Sequence, residues 1–224
     1  MYHKIGARPR RVRLKGLYLG TALFARQLAE LREAGYRTPP LAEVLQIPGN
    51  PGRQIILSFD DGFRNVFQNA LPLLRENRMR AIQFLVPTQI GKQNEWDLRE
   101  GEAPEALMDA SEIREWLAAG NEIGSHSMSH ARLTRLSVRD AREEIGASKK
   151  QLEDLFGLSI EHFCYPYGDY NVAVRDLVAE AGYRTACSTQ FGVNTPATSP
   201  FELRRITARY PSRSLKSLRA RLLK

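Results

Sequence analysis

Residues 54–59 (QIILSF) form a nearly unbroken apolar run that stops at Asp60-Asp61-Gly62. A strand with one wet face alternates apolar and polar residues, so a run without alternation is a strand covered on both faces. Helices supply that cover, and the chain provides them. Residues 63–78 carry Val66, Phe67, Ala70, Leu73 and Leu74 at helical spacing, and a second apolar run, AIQFLV at 81–86, follows and is stopped by Pro87. The alternation continues. SEIREWLAAG reads as a helix with Ser111 at its N-cap and Gly120 as its stop. NEIGSH is a short strand, 137–156 a charged amphipathic helix opening at Ser137, HFCYP a strand, 170–181 a helix and YRTACST a strand. ELRRITA reads as a last strand and 213–223 as a last helix; at the front, YHKI is a clipped strand and 20–34 a helix. Residues 91–109 are a polar excursion after the strand ending at Val86, placed to rim whatever site the strand ends form. Strand–helix alternation implies a parallel sheet with helical crossovers. About seven parallel strands in one domain, residues 1–224, point to the α/β class and a distorted (β/α) barrel.

Bulk properties narrow the partners. The charge of +8 is uneven: Arg8, Arg10, Arg11, Arg13 and Lys15 cluster early, and Arg213, Lys216, Arg219, Arg221 and Lys224 close the chain. Such runs are ordinarily solvated segments. No RNA-stacking or helix-turn-helix pattern accompanies them, so nucleic acid is not an expected partner. Two cysteines, Cys164 and Cys187, make neither a disulfide framework nor a thiolate metal site. No apolar stretch reaches the length of a membrane span. MYHKIGARPRR lacks an apolar signal core, so the expected location is cytoplasmic as given; a start upstream of Met1 would allow a leader and a place at the cell envelope. The oligomeric state is not readable from the sequence.

In a barrel of this kind, chemistry gathers where strands end. The residues there form one set: Asp60-Asp61-Gly62, then His126-Ser127-Met128-Ser129-His130, then Pro166-Tyr167-Gly168, with His3 at the end of the first strand. Each has an ordinary reading. Asp61 before Gly62 suits a helix N-cap, the histidines suit a surface turn, and Pro-Tyr-Gly suits a loop. Yet two imidazoles four residues apart can chelate one cation, and a carboxylate with two histidines leaves open positions, as catalytic metal sites require. Taken together, the strand ends favour a divalent metal held by a carboxylate of the Asp60-Asp61 pair with His126 and His130.

These segments resemble the NodB-homology polysaccharide deacetylases, carbohydrate esterase family 4. Leu57 to Gly62 (LSFDDG) matches the family's first motif, TFDDG, with Ser for Thr; His126 to His130 matches the second, H-S/T-x-x-H; Cys164 to Gly168 matches the third, R-x-P-Y/F-G, with Cys164 for Arg. The match covers about 54–206. Tyr2-His3 and FARQLAELREAGY (24–36) are similar to the opening of the biofilm exopolysaccharide deacetylases. The resemblance implies a metal-dependent hydrolase that removes the N-acetyl group of an amino sugar or glycan. Asp61, His126 and His130 would hold the ion: zinc first, with cobalt, nickel or manganese as alternatives. Asp60 would be the general base, and the Tyr167 backbone N–H, beside Pro166, would receive the oxyanion. Two departures stand out. The motif Arg is Cys164, and Arg204 or Arg205 is expected to support Asp60 instead. No Leu-x-His follows Arg204, which leaves His3 as the general acid. His162, at a strand start, belongs to the opposite end and is expected to be structural; Trp116 packs in the core with Ile113 and Leu117, and Trp96 matches no groove motif. Two other functions compete: hydrolysis of another small amide or cyclic imide, and a degenerate barrel that only binds glycan.

Overall fold

The structure, a computed structural model, describes residues 1–10, 12–44, 52–98 and 101–208. Two short strands near the start, β1 (Lys4–Ile5) and β2 (Tyr18–Leu19), pair in parallel. Six more form one parallel sheet whose order follows the chain: β3 (Leu57–Phe59), β4 (Ala81–Leu85), β5 (Glu122–Ser125), β6 (His162–Cys164), β7 (Thr185–Phe191) and β8 (Leu203–Arg205). Helices α1 (Thr21–Glu33) and α2 (Leu41–Val44) precede this sheet. Parallel neighbours need crossovers. These carry α3 (Arg64–Asn69) and α4 (Leu71–Asn77) after β3, α5 (Glu95–Leu98) and α6 (Ala110–Ala118) after β4, α7 (Val138–Phe156) after β5, and α8 (Val172–Glu180) after β6. All five residues of β4 are buried, including the polar Gln83, whose side-chain NH₂ donates to the Asp60 carbonyl at 3.2 Å.

The barrel closes in an unexpected way. YHKI does not enter the sheet as a strand; Lys4 and Ile5 pair with β2 instead. The dipeptide Met1-Tyr2 bridges the two outer strands. On one side the Tyr2 N–H donates to the Ser58 carbonyl (2.8 Å) and the Asp60 N–H to the Tyr2 carbonyl (3.1 Å). On the other, the Met1 nitrogen donates to Ile206 O (2.8 Å) and the Ala208 N–H to Met1 O (3.1 Å). An open sheet would leave these edge groups unpaired. Aromatic packing pins the closure: the Tyr2 ring stacks on Phe59 and meets Phe24 edge-on, both at 5.2 Å between centroids. Phe59 in turn packs edge-on against Trp116, which is fully buried as expected.

Three local expectations need correcting. The helix over 63–78 breaks at Ala70, because Pro72 lacks the N–H that would continue the ladder and its ring crowds the preceding turn. Helix α6 is capped by Asp109 rather than Ser111: the Asp109 carboxylate accepts from the Ser111 and Glu112 N–H groups, and Glu112 reaches back to the Asp109 N–H. The strand expected over ELRRITA is confined to Leu203–Arg205. Ser137 does cap α7. The helix expected at 213–223 lies outside the described residues.

His162 sits at the start of β6, buried at the end of the sheet away from the motif residues, with its Nδ1 2.9 Å from the Thr185 hydroxyl. Burial lowers its pKa to about 4. The unfolded chain titrates near ~6.5, so between these values it binds more protons than the folded one. Stability is therefore complete above the unfolded value and falls as pH drops towards 4, by up to about 1.4 kcal/mol per pH unit from this residue. Urea unfolding at pH 7 and pH 5 should show the loss, and His162→Gln should shrink it; an unchanged slope in the variant would refute the assignment.

Candidate active site

Because β3, β5 and β6 run parallel, their C-terminal ends reach one rim and deliver all three motifs there. The backbone at each end turns sharply. Asp61 (φ 77°), Ser127 (62°), His130 (63°) and Tyr167 (61°) all adopt the left-handed conformation; Arg78 is the only other non-glycine residue to do so among those described. Each such residue costs on the order of 1 kcal/mol or more, and strain of this kind collects at functional sites. Gly168 is required by its surroundings as well as by its φ of +70°: a Cβ there would lie 2.7 Å from the Thr189 nitrogen. Helix α7 holds the histidine turn, with Glu144 accepting from the Ser129 N–H (2.9 Å) and hydroxyl (2.6 Å).

Asp61, His126 and His130 converge. Asp61 Oδ1 lies 3.4 Å from His126 Nε2 and 3.3 Å from His130 Nε2. All three residues are buried, yet Asp61 Oδ1 and His130 Nδ1 have no hydrogen-bond partner. Buried polar atoms without partners are costly. A cation among them would remove that cost at Asp61. Two ligands ~2.0–2.1 Å from a tetrahedral zinc lie about 3.3–3.4 Å apart, which these separations match. His126 Nδ1 is 2.7 Å from the Cys164 carbonyl. A carbonyl only accepts, so the proton is on Nδ1 and the Nε2 lone pair faces Asp61. The residues present thus fit a divalent ion. Asp60, His126 and Cys164 also lie close enough to form a ligand group. A guanidinium already occupies that space.

That guanidinium belongs to Arg205. Its Nη1 and Nη2 donate to the two Asp60 carboxylate oxygens at 2.7 and 2.8 Å, and Nη2 also lies 3.1 Å from Cys164 Sγ. Its Nε donates to the Ser188 carbonyl at 2.8 Å. Burial alone would raise the Asp60 pKa; the charges of Arg205 and then His3 outweigh it, and the carboxyl sits below its ordinary value. Arg204, the other candidate for this role, points outward and its backbone pairs with Asn194. Of the two arginines of β8, Arg205 is therefore the one that reaches Asp60, beside Cys164. His3 is carried in by the bridge between Tyr2 and Phe59, which places it next to Asp60. Its Nε2 is 3.7 Å from Asp60 Oδ2, and its side chain is 16% exposed. Burial lowers the His3 pKa, opposed by the Asp60 and Asp61 charges, and the net is a fall.

Tyr167 lies at the rim, 38% exposed, on the turn opened by Pro166. Its ring meets His130 edge-on at 4.6 Å, and the Arg132 guanidinium lies 3.8 Å above it. On its other side His130 stacks against Trp96, also at 4.6 Å. Trp96 belongs to α5 in the 91–109 excursion, so that segment does rim the site. Trp96 matches no groove motif in the sequence; the signal it offers there is a lone aromatic in a polar stretch following a strand end.

Comparison with known proteins gives the family and the fold. The model of the polysaccharide deacetylase family matches residues 48–186, more than half of the chain, and the chain belongs to that family. It is 24% identical over 210 residues to the protein YxkH of Bacillus subtilis, covering 92% of this chain and 69% of that one. It is 24% identical over 165 residues to the poly-beta-1,6-N-acetyl-D-glucosamine N-deacetylase of Staphylococcus aureus. That match covers 70% of this chain but spans only 54% of the staphylococcal protein. The structure of IcaB from Ammonifex degensii has the same fold, with a TM-score of 0.83 at 22% identity over 96% of this chain and 92% of that one.

The two arginines of β8 should separate in a stability measurement. Arg205→Met strands a buried carboxylate and should cost about 3–5 kcal/mol, whereas Arg204→Met should stay within about 0.5 kcal/mol of the parent. Equal effects in urea unfolding would contradict the ion pair.

Proposed function

We propose that this chain is a metal-dependent N-deacetylase that hydrolyses the N-acetyl amide of an amino sugar in a glycan. The convergence of Asp61, His126 and His130, with Asp61 Oδ1 left unpartnered, is the observation that carries the proposal. The donor set suits zinc first, then cobalt, nickel or manganese. Such an ion, held by these three residues, supplies Lewis acidity at the acetyl carbonyl and makes water a better nucleophile at neutral pH.

The remaining chemistry falls to the chain itself. Asp60 takes a proton from water as it attacks the acetyl carbon; the Arg205 fork keeps this carboxylate ionised and fixes its plane. The backbone N–H of Tyr167 donates to the oxyanion that forms. His3, beside Asp60, gives a proton to the departing amine. The products are acetate and a free amino sugar. Trp96 and Tyr167 flank His130 and keep bulk water from that side of the centre. The staphylococcal relative acts, by its name, on a poly-N-acetylglucosamine, which supports an N-acetylated carbohydrate as substrate here. The non-catalytic alternative drew on two departures, and the contact between Arg205 and Asp60 weakens the first of them.

Protein purified without chelator should contain about one divalent ion per chain, and Asp61→Ala or His126→Ala should lose it. Metal retained in both variants would sink the assignment. Asp60→Asn should keep the metal but release no acetate from N-acetylglucosamine oligomers, because it removes a base and no ligand.

His3→Ala should slow acetate release about a hundredfold with metal content unchanged. An unaltered rate would remove His3 from the mechanism.

A further inference from the structure

A second concave surface lies at the opposite end of the sheet. A cavity of about 570 Å³ opens among Arg32, Tyr36, Arg37, Gln54, Arg78 and Arg80. Gln54 precedes β3 and Arg80 immediately precedes β4, so these residues sit where the strands begin. The motif residues sit where they end. The cavity is therefore separate from the site described above.

Its charge is one-sided. Four guanidinium groups line it against a single lining carboxylate, that of Glu43; the Glu122 carboxylate behind it feels the charges of Arg80 and Glu43. Elsewhere the chain pairs its arginines readily: Arg64, Arg75, Arg142, Arg175 and Arg184 all meet acidic partners. Among the described residues, no ion pair or side-chain hydrogen bond engages Arg32, Arg37, Arg78 or Arg80. Like charges around a concavity repel one another, and the same geometry focuses their field on whatever anion enters.

The frame that carries these arginines is fixed. The Arg37 N–H donates to Arg53 O (2.9 Å) and its carbonyl accepts from Ile55 (3.0 Å). Arg78 ends α4 in the left-handed conformation, with its N–H returned to that helix. The Arg80 N–H donates to the buried Thr38 hydroxyl at 2.7 Å. Gln54 contributes a buried side-chain amide oxygen with no hydrogen-bond partner. The amide can turn to present its NH₂ group instead. Tyr36 adds a half-buried ring to the wall.

We propose that this cavity binds a phosphorylated sugar, with the arginines on the phosphate and Tyr36 against the sugar ring. Arginine forks match phosphate oxygens two at a time, and a cavity of this volume is in the range that holds small ligands. The phosphate can belong to a free phosphosugar or to a phosphodiester-linked glycan.

Calorimetric titration of the full chain at low ionic strength tests this, first with inorganic pyrophosphate and then with glucose 1-phosphate. One saturable site is expected, weakened at least about tenfold in R37A/R80A, with metal content and thermal midpoint unchanged because these side chains are exposed. Glucose 1-phosphate binding supports a free phosphosugar. Binding of only a phosphodiester-linked oligosaccharide supports a polymer-borne phosphate. Glucose should give no heat in either case. Failure of pyrophosphate to saturate at millimolar concentration would overturn the proposal. So would equal binding by R37A/R80A, which would move the anion to the metal centre or to unspecific basic surface.

Discussion

Asp60 and Arg205 are 145 residues apart in sequence and meet through two hydrogen bonds of 2.7 and 2.8 Å. One lies just past β3 and the other ends β8, the two outer strands of the sheet. Their pairing exists only if the sheet curls until its edges face each other. The Met1-Tyr2 dipeptide occupies the gap between those edges and completes the ring with four backbone contacts. The same dipeptide carries His3 to within 3.7 Å of Asp60. Barrel closure, the ionised state of Asp60 and the position of His3 are thus one structural fact seen three ways. An uncompensated buried carboxylate would carry a penalty of several kcal/mol, so the guanidinium is a condition for the site to exist.

The neighbouring centre rests on a different constraint. Asp61, His130 and Tyr167 project from backbone in the left-handed region, and each belongs to a turn that follows a strand directly. A strand end that simply continued would send successive side chains to opposite faces. The turned backbone breaks that alternation, so Asp60 and Asp61 address different partners from adjacent positions. The Gly62 and Gly168 positions absorb the reversal at the exits of two of these turns.

Much of this was readable from the chain because the signals were local. Asp61, His126 and His130 stand in short motifs at the ends of apolar runs, and strand polarity assembles them. The choice between Arg204 and Arg205 was also present in the sequence. Leu203 must face the core, so period-two alternation puts Arg205 inward and Arg204 out. The closing dipeptide was less legible. Its partners lie some 57 and 205 positions away, and a two-residue extended segment has no pattern of its own. Trp96 escaped for a related reason: a polar excursion has no periodicity from which its one aromatic residue can be aimed. Within α6, the Asp109 capping box competed with an equally acceptable Ser111, and only the reciprocal bond from Glu112 decides between them.

The stacking of Trp96 on His130 gives the protein a built-in optical reporter. The chain has two tryptophans. One indole lies 4.6 Å from the ring of His130, a proposed ligand of the ion, while the other, Trp116, is sealed in the core with its N–H donated to the Glu122 carbonyl at 2.9 Å. Emission from the first reads events at the centre, and emission from the second provides a steady internal standard.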